Sequence, residues 1–179
     1  PNDPFGYPEM VPDSFKEHLK NTMLFKSFFP CLVAGPFIKA HEFYPQIVPK
    51  RISEIRWEAA FRALVTGYFL KMVVADNLKD STFWIEYPYF LKESPLTLVS
   101  LLFGYSMQIF ADFAGYSLFA VGLGVLFGYS LPQNFNYPYI SRSFTEFWQR
   151  WHISLSTWLR EYLYIPLGGN RKGNVRTYI

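Results

Sequence analysis

The longest apolar stretch of the chain runs from Leu96 to Leu131, and Asp112 is the only formally charged residue in it. About 20 apolar residues cross a hydrocarbon core of about 30 Å. The stretch is too long for one span and slightly short for two, which predicts two short or tilted spans that break near Asp112 to Gly115. Gly104, Gly115, Gly122, Gly124 and Gly128 offer places to break or to pack helices closely. Upstream, Ile55, Ala59, Leu64, Phe69 and Val73 predict a helix over residues 55 to 76, long enough to cross, in which Glu58, Arg62 and Lys71 must face protein or the interface. Residues 22 to 38, TMLFKSFFPCLVAGPFI, are apolar but interrupted by Lys26, Pro30, Gly35 and Pro36. That pattern predicts a re-entrant or kinked segment.

Residues 131 to 143, LPQNFNYPYISRS, read as a loop, and Ser143 followed by Glu146 matches a capping box. From about Phe144 to Tyr164, Trp148, His152, Leu155, Leu159 and Tyr162 recur at spacings of three and four. The prediction is one amphipathic, aromatic-rich helix that lies in the interface plane or lines a cavity. Gly168 and Gly169 supply its stop, and Arg171, Lys172 and Arg176 follow. Basic residues beside a membrane segment place that loop on the cytoplasmic side.

Composition moves the picture the same way. Half of the residues are hydrophobic, 21% are aromatic and 17% are charged, the last below the roughly 25% usual in soluble domains. Burying that many rings takes a large core or a bilayer, so the expected fold class is all-α, a polytopic helical membrane protein. The net charge of +3 is scattered along the chain, which excludes a nucleic-acid stripe. Cys31 is the only cysteine, which excludes an internal disulfide framework and a cysteine-based zinc site. The chain opens on Pro1 and ends on Ile179 in mid-phrase, so residues 1 to 179 are expected to be a fragment of one membrane domain.

Two residues carry candidate chemistry. His152 stands among Trp148, Trp151 and Trp158, where an imidazole near neutral pH can take a proton from a hydroxyl or give one to a leaving group. Its bland alternative is an interfacial histidine packed on tryptophan. Asp112 is costly in an apolar segment unless paired, so it is either a functional group or a buried hydrogen bond pinning two helices. His18 and His41 lie in polar surroundings and read as solvated. Ser156, four residues after His152, shares its helix face and can orient the ring, but no glycine-flanked elbow marks a serine nucleophile. No metal set accompanies these residues, and LGGNRKG lacks the pairing of a phosphate loop.

Three stretches together resemble the membrane-bound O-acyltransferases, in the bacterial branch that acts on alginate and teichoic acids, with the alginate type the nearest likeness. They are FFPCLVAGPFIKAHEF (28 to 43), GYFLKMVVADNL (67 to 78) and the long run from QIFADFAGYS through RWHISLSTWLREYLYIPLGGNRKG (108 to 173). The resemblance implies a multi-pass protein of the bacterial cytoplasmic (inner) membrane. Such a protein moves a short acyl group, acetyl by likeness, from a cytoplasmic thioester donor (acetyl-CoA or an acyl carrier) through a tunnel to hydroxyls of an exported polysaccharide. His152 matches one of two polar catalytic positions of the family, and the second, a later histidine, is expected beyond Ile179. The thioester is a substrate, and no bound cofactor is implied.

The same likeness casts Trp148, Trp151 and Trp158 as tunnel walls that exclude water, with Asp112 and Ser156 as further lining candidates. Arg150, Arg160 and Arg171 become candidates for donor phosphates. A periplasmic or extracellular acyltransferase partner is implied as well. One departure is Leu118, where related sequences often carry aspartate. Transfer of D-alanyl groups to teichoic acid type polymers, or a non-enzymatic transporter or scaffold subunit, are the rival readings.

Overall fold

A computed structural model describes residues 14–33 and 35–169 of the chain. Their backbone is helical, and the sole extended pairing among them is an isolated antiparallel bridge between Phe135 and Trp151. The helices are α1 Phe15–Lys26, α2 Ala40–Phe43, α3 Trp57–Tyr68, α4 Asp76–Thr82, α5 Pro95–Leu126, α6 Phe144–Arg150 and α7 Ile153–Leu159. They fall into two compact units, one holding α1 with residues 36–49 and 131–169, the other holding residues 32–33, 35 and 50–130.

In the second unit, α5 is one continuous helix of 32 residues, about 48 Å long at 1.5 Å per residue. Ser94 caps its start by accepting the Thr97 N–H at 3.2 Å, and Pro95 occupies the first turn, where a missing N–H costs nothing. The expected break near Asp112 to Gly115 does not occur, and the two predicted short spans are a single long one. An apolar surround punishes every unsatisfied backbone group, and an unbroken helix satisfies them all. The helix stops only at Gly128, whose φ of +76° closes a Schellman turn: Tyr129 N–H donates to Gly124 O at 2.8 Å and Gly128 N–H to Val125 O at 3.0 Å. Among the described residues α5 is the helix long and apolar enough to cross a membrane, with a mean hydropathy of 1.7.

The glycines of α5 serve packing. A second helical run, α3, then π-helical turns over Phe69–Ala75, then α4, lies antiparallel to it. Gly122 faces Leu64 and Ala60, Gly115 faces Gly67 and Lys71, and Gly104 faces Thr82. A Cβ on Gly67 would stand 2.7 Å from Gly115 O, and one on Gly115 would stand 2.8 Å from Gly67 O, so here the two backbones touch. Leu118 packs at this crossing, its Cβ 3.2 Å from the position a Cβ on Gly67 would take. The outer faces carry exposed Phe61, Phe69, Leu102 and Phe103, the surface expected of helices that meet lipid or further protein.

In the first unit, α1 ends at Ser27, and a short 3-10 turn, Phe29–Cys31, follows it. Residues 22 to 38 are therefore broken, as their prolines and glycine require. Phe28 and Phe25 pack on the fully buried Phe43 of α2 with ring centroids 5.0 and 5.7 Å apart. The helix expected from Phe144 to Tyr164 is realised in three pieces: α6, α7 and π-helical turns over Arg160–Tyr164. The interruption falls on Trp151 and His152.

Candidate functional site

The break at His152 has a local cause. Ser143 Oγ accepts the Glu146 N–H at 3.1 Å, while the Glu146 carboxylate reaches back to accept the Arg142 N–H at 2.9 Å, so α6 starts on a capping box shifted by one residue. That N–H and the Arg150 guanidinium hold the Glu146 carboxyl below its usual range. Six residues on, the backbone leaves the helix because the loop before α6 competes for it. Asn136 N–H donates to Arg150 O at 3.0 Å, Phe135 bridges Trp151, and Ile153 N–H donates to Asn134 O at 2.9 Å. Between these ties His152 takes φ 45° and ψ 53°. A left-handed backbone costs a non-glycine residue about 1–2 kcal/mol, so it persists only where its surroundings hold it.

Those surroundings can be named. Ser154 Oγ accepts the Phe37 N–H at 2.9 Å and donates to Asn134 Oδ1. Ser154 and Asn134 are buried, at 4% and 2% exposure. Phe37 lays its ring 5.8 Å from the imidazole, centroid to centroid, and 6.3 Å from the Trp158 ring. Next along the same segment, the buried Lys39 pairs with Glu161 at 2.7 Å and with Glu42 at 3.5 Å. Burial opposes the Lys39 charge, and the two glutamates outweigh it, raising the lysine above its usual range. Burial lowers the His152 pKa from its usual value of 6.5, so the ring is neutral near pH 7 and able to accept a proton.

The other expected site residues are distributed unevenly. Trp158 joins the His152 neighbourhood through Phe37 and stacks on Tyr162 at 5.4 Å. Trp151 belongs to a separate aromatic cluster, stacked on Phe147 at 5.5 Å and edge-on to Phe135 at 5.0 Å. Trp148 packs against Phe144 and Phe147 and is about half exposed. Ser156 does not bond to His152 as its spacing suggested; the break removes the shared helix face, and its hydroxyl turns to the carbonyls of Trp148 and Trp151 at 3.4 and 3.5 Å. Arg150 spends its guanidinium on Glu146 at 2.8 Å and on Asn136 O at 3.2 Å. Arg160 is exposed, and Arg171 lies outside the described residues.

Asp112 sits in the second unit, where Lys71 Nζ bridges it at 2.6 Å and Asp76 at 2.8 Å. The wider π-helical turns carry Lys71, so the ammonium ties two helices at the glycine crossing. A cleft beside it, lined by Tyr68, Met72, Tyr116 and Phe119, has a volume of about 160 Å³. Among the described residues no set of three His, Cys, Asp or Glu side chains could hold a metal ion.

Sequence reasoning passed over Asn134 and Phe37, and weighed Ser154, like Ser156, only as a nucleophile that no glycine-flanked elbow supports. The prolines and asparagines of residues 131–143 read as a polar loop, and the one available signal, LPQNFNYP beside a broken helix, has no periodicity to expose it.

Comparison with known proteins bears on this geometry. A profile of the membrane-bound O-acyltransferase family matches residues 16–179. Probable alginate O-acetylase AlgI of Pseudomonas fluorescens is 41% identical over 156 residues, covering 86% of this chain and 31% of the relative. Peptidoglycan O-acetyltransferase of Helicobacter pylori is 40% identical over 165 residues, 90% of this chain and 31% of the relative. Teichoic acid D-alanyltransferase of Bacillus subtilis is 30% identical over 151 residues, 82% of this chain and 38% of the relative. The chain thus spans about a third of the length of these curated relatives.

Proposed function

Because this chain belongs to the membrane-bound O-acyltransferase family, we propose that the protein it forms part of transfers a short acyl group to hydroxyls of an exported cell-envelope polysaccharide, with His152 at the reacting centre. The observation that carries this reading is the conformation of His152. A neutral imidazole stands at a forced break between two helices, half-buried and walled by Phe37, with its backbone held from both sides. Such a group accepts the proton of an acceptor hydroxyl as its oxygen attacks the thioester carbonyl, and the thiolate leaves. General-base assistance of this kind is worth about 10² to 10⁴ in rate. Trp158 and Phe37 form an apolar flank that keeps water from hydrolysing the donor.

Acetyl is the acyl group this reading favours, because the relatives named for O-acetyl transfer are 40–41% identical and the D-alanyl one 30%. The donor is a cytoplasmic thioester, the site is reached through a multi-pass domain of the bacterial inner membrane, and a partner outside that membrane completes delivery to the polymer. Arg160, Arg171 and, less freely, Arg150 are the cations available to donor phosphates. Asp112, held by Lys71, is read as a strut of its own helix pair.

The test uses the full-length protein in native membrane vesicles, with acetyl-CoA as the probe donor and thiol release and polysaccharide O-acetyl ester as readouts. His152→Ala is expected to abolish both while the amount of protein in the membrane is unchanged. Thiol release and ester at the parent level would sink the proposal.

A further inference from the structure

The side chains that hold His152 make a connected device. Asn134 contributes twice: its carbonyl oxygen takes the N–H of Ile153, the residue after His152, and its Oδ1 takes the Ser154 hydroxyl. Ser154 in turn takes the N–H of Phe37, whose ring lies against the imidazole. The backbone on the C-terminal side of His152 and the aromatic wall beside its ring are therefore fixed by one residue acting through another. Asn134 Nδ2 has no hydrogen-bond partner among the described residues, although the side chain is 2% exposed. A residue selected only to fill this space would not leave a buried donor unused. An apolar replacement of Asn134 takes the acceptor from the Ser154 hydroxyl, which is then held only by the N–H of Phe37.

We infer that Asn134 and Ser154 are positioning residues that aim the His152 imidazole at the reacting groups, an inference that rests on the reading of His152 given above. They touch neither donor nor acceptor in this account. Their effect is on the angle and solvation of the ring, which enters kcat and the pH profile and leaves donor binding alone.

The experiment again uses the full-length protein in membrane vesicles with acetyl-CoA as the probe. Ser154→Ala removes both hydroxyl bonds and is expected to lower kcat by up to about 10²-fold, the loss that goes with a misplaced catalytic group, with the KM for acetyl-CoA unchanged. Its acid limb is expected to move up toward 6.5 as water reaches the loosened ring. Ser154→Thr keeps the hydroxyl and restores kcat. Because Ser154 is buried and the alanine variant can misfold, Phe37→Leu serves as a second variant: Phe37 is 44% exposed, and the substitution keeps its N–H bond while removing the ring from the imidazole. It is expected to lower kcat and shift the pH profile in the same direction.

Parent kcat and pH profile in Ser154→Ala and Phe37→Leu, with His152→Ala inactive, would overturn the inference and leave the reading of His152 standing. Losses that only follow the amount of folded protein, without rescue by threonine, would overturn it too. An active His152→Ala would overturn the reading itself.

Discussion

The helix pair of the second unit and the segment around His152 hold their shapes by different means. The pair is regular and made of repeated small-residue contacts: Ala60 and Leu64 against Gly122, Gly67 against Gly115, Thr82 against Gly104. Its polar ties are Lys71 between Asp76 and Asp112 and the Thr82 hydroxyl donating to Gln108 Oε1. The His152 segment is irregular, and particular hydrogen bonds from Asn134, Asn136, Ser143 and Ser154 define it. Close packing tolerates chemical change and punishes volume; a hydrogen-bonded break tolerates volume at its rim and punishes the loss of one acceptor. The packed span and the hydrogen-bonded break thus lie in separate stretches of the chain.

The largest expected effect breaks the packing side of this contrast. Gly115→Leu puts a Cβ 2.8 Å from Gly67 O and 2.9 Å from Lys71 N, both backbone atoms that cannot step aside. The expected loss is about 3 kcal/mol, the upper end of overpacking costs, seen as a drop in the thermal midpoint of the full-length protein in detergent. A midpoint within error of the parent would show that the glycine crossing is loose.

Next comes the ion-paired lysine of the same pair. Lys71→Met leaves Asp76 and Asp112 facing each other without their shared cation. The lysine side chain is one-third exposed and Asp112 about half, so the cost is discounted to about 1–2 kcal/mol from the value of a fully buried pair. Pairing the substitution with Asp112→Asn is expected to return part of that loss. Additive losses in the double variant would mean that the bridge does not couple the helices.

A smaller effect tests the hydrogen-bonded side. Ser143→Ala removes the cap of α6 and is expected to cost about 1 kcal/mol. The loss belongs to the segment before His152, so amide hydrogen exchange in residues 144–150 is expected to quicken while exchange in α5 stays as in the parent.

How much of this was legible beforehand follows the same division. Apolar runs and scattered glycines in residues 55–76 and 96–131 announced helices and close packing, because a regular element repeats its signal along the chain. The capping pair Ser143 and Glu146 was readable too, being local. The break at His152 was not. The recurrence of Trp148, His152, Leu155 and Leu159 fits one helix, and the competing bonds come from Asn134 and Asn136, whose pairing is a property of the folded loop. The same blindness made Ser156 a partner of His152 and split α5 at Asp112: periodicity reports what a continuous element would do, and it is silent where tertiary hydrogen bonds overrule it or where an interface takes up the glycines.

The smallest effect separates the two regions by pH, since residues 57–126 contain no histidine. Burial penalises the charged form of His152, so its folded pKa lies below 6.5 while the unfolded chain protonates near about 6.5. The unfolded state therefore takes up its proton first as the pH falls. The contribution of the neutral ring to stability is fully present above 6.5 and is lost as the pH drops from there through the lowered folded value. On the proposed role of His152, kcat/KM, which reports the free enzyme, is expected to fall on the acid side with a midpoint below 6.5. Trp158→Ala admits water beside Phe37 and the imidazole, and its acid limb is expected to rise toward 6.5. Lys71→Met, acting in the other unit, is expected to leave the limb where it was. A limb that moves equally in both variants would mean that the pH response does not arise at His152, and the division between a packed span and an aimed ring would fail at its chemical end.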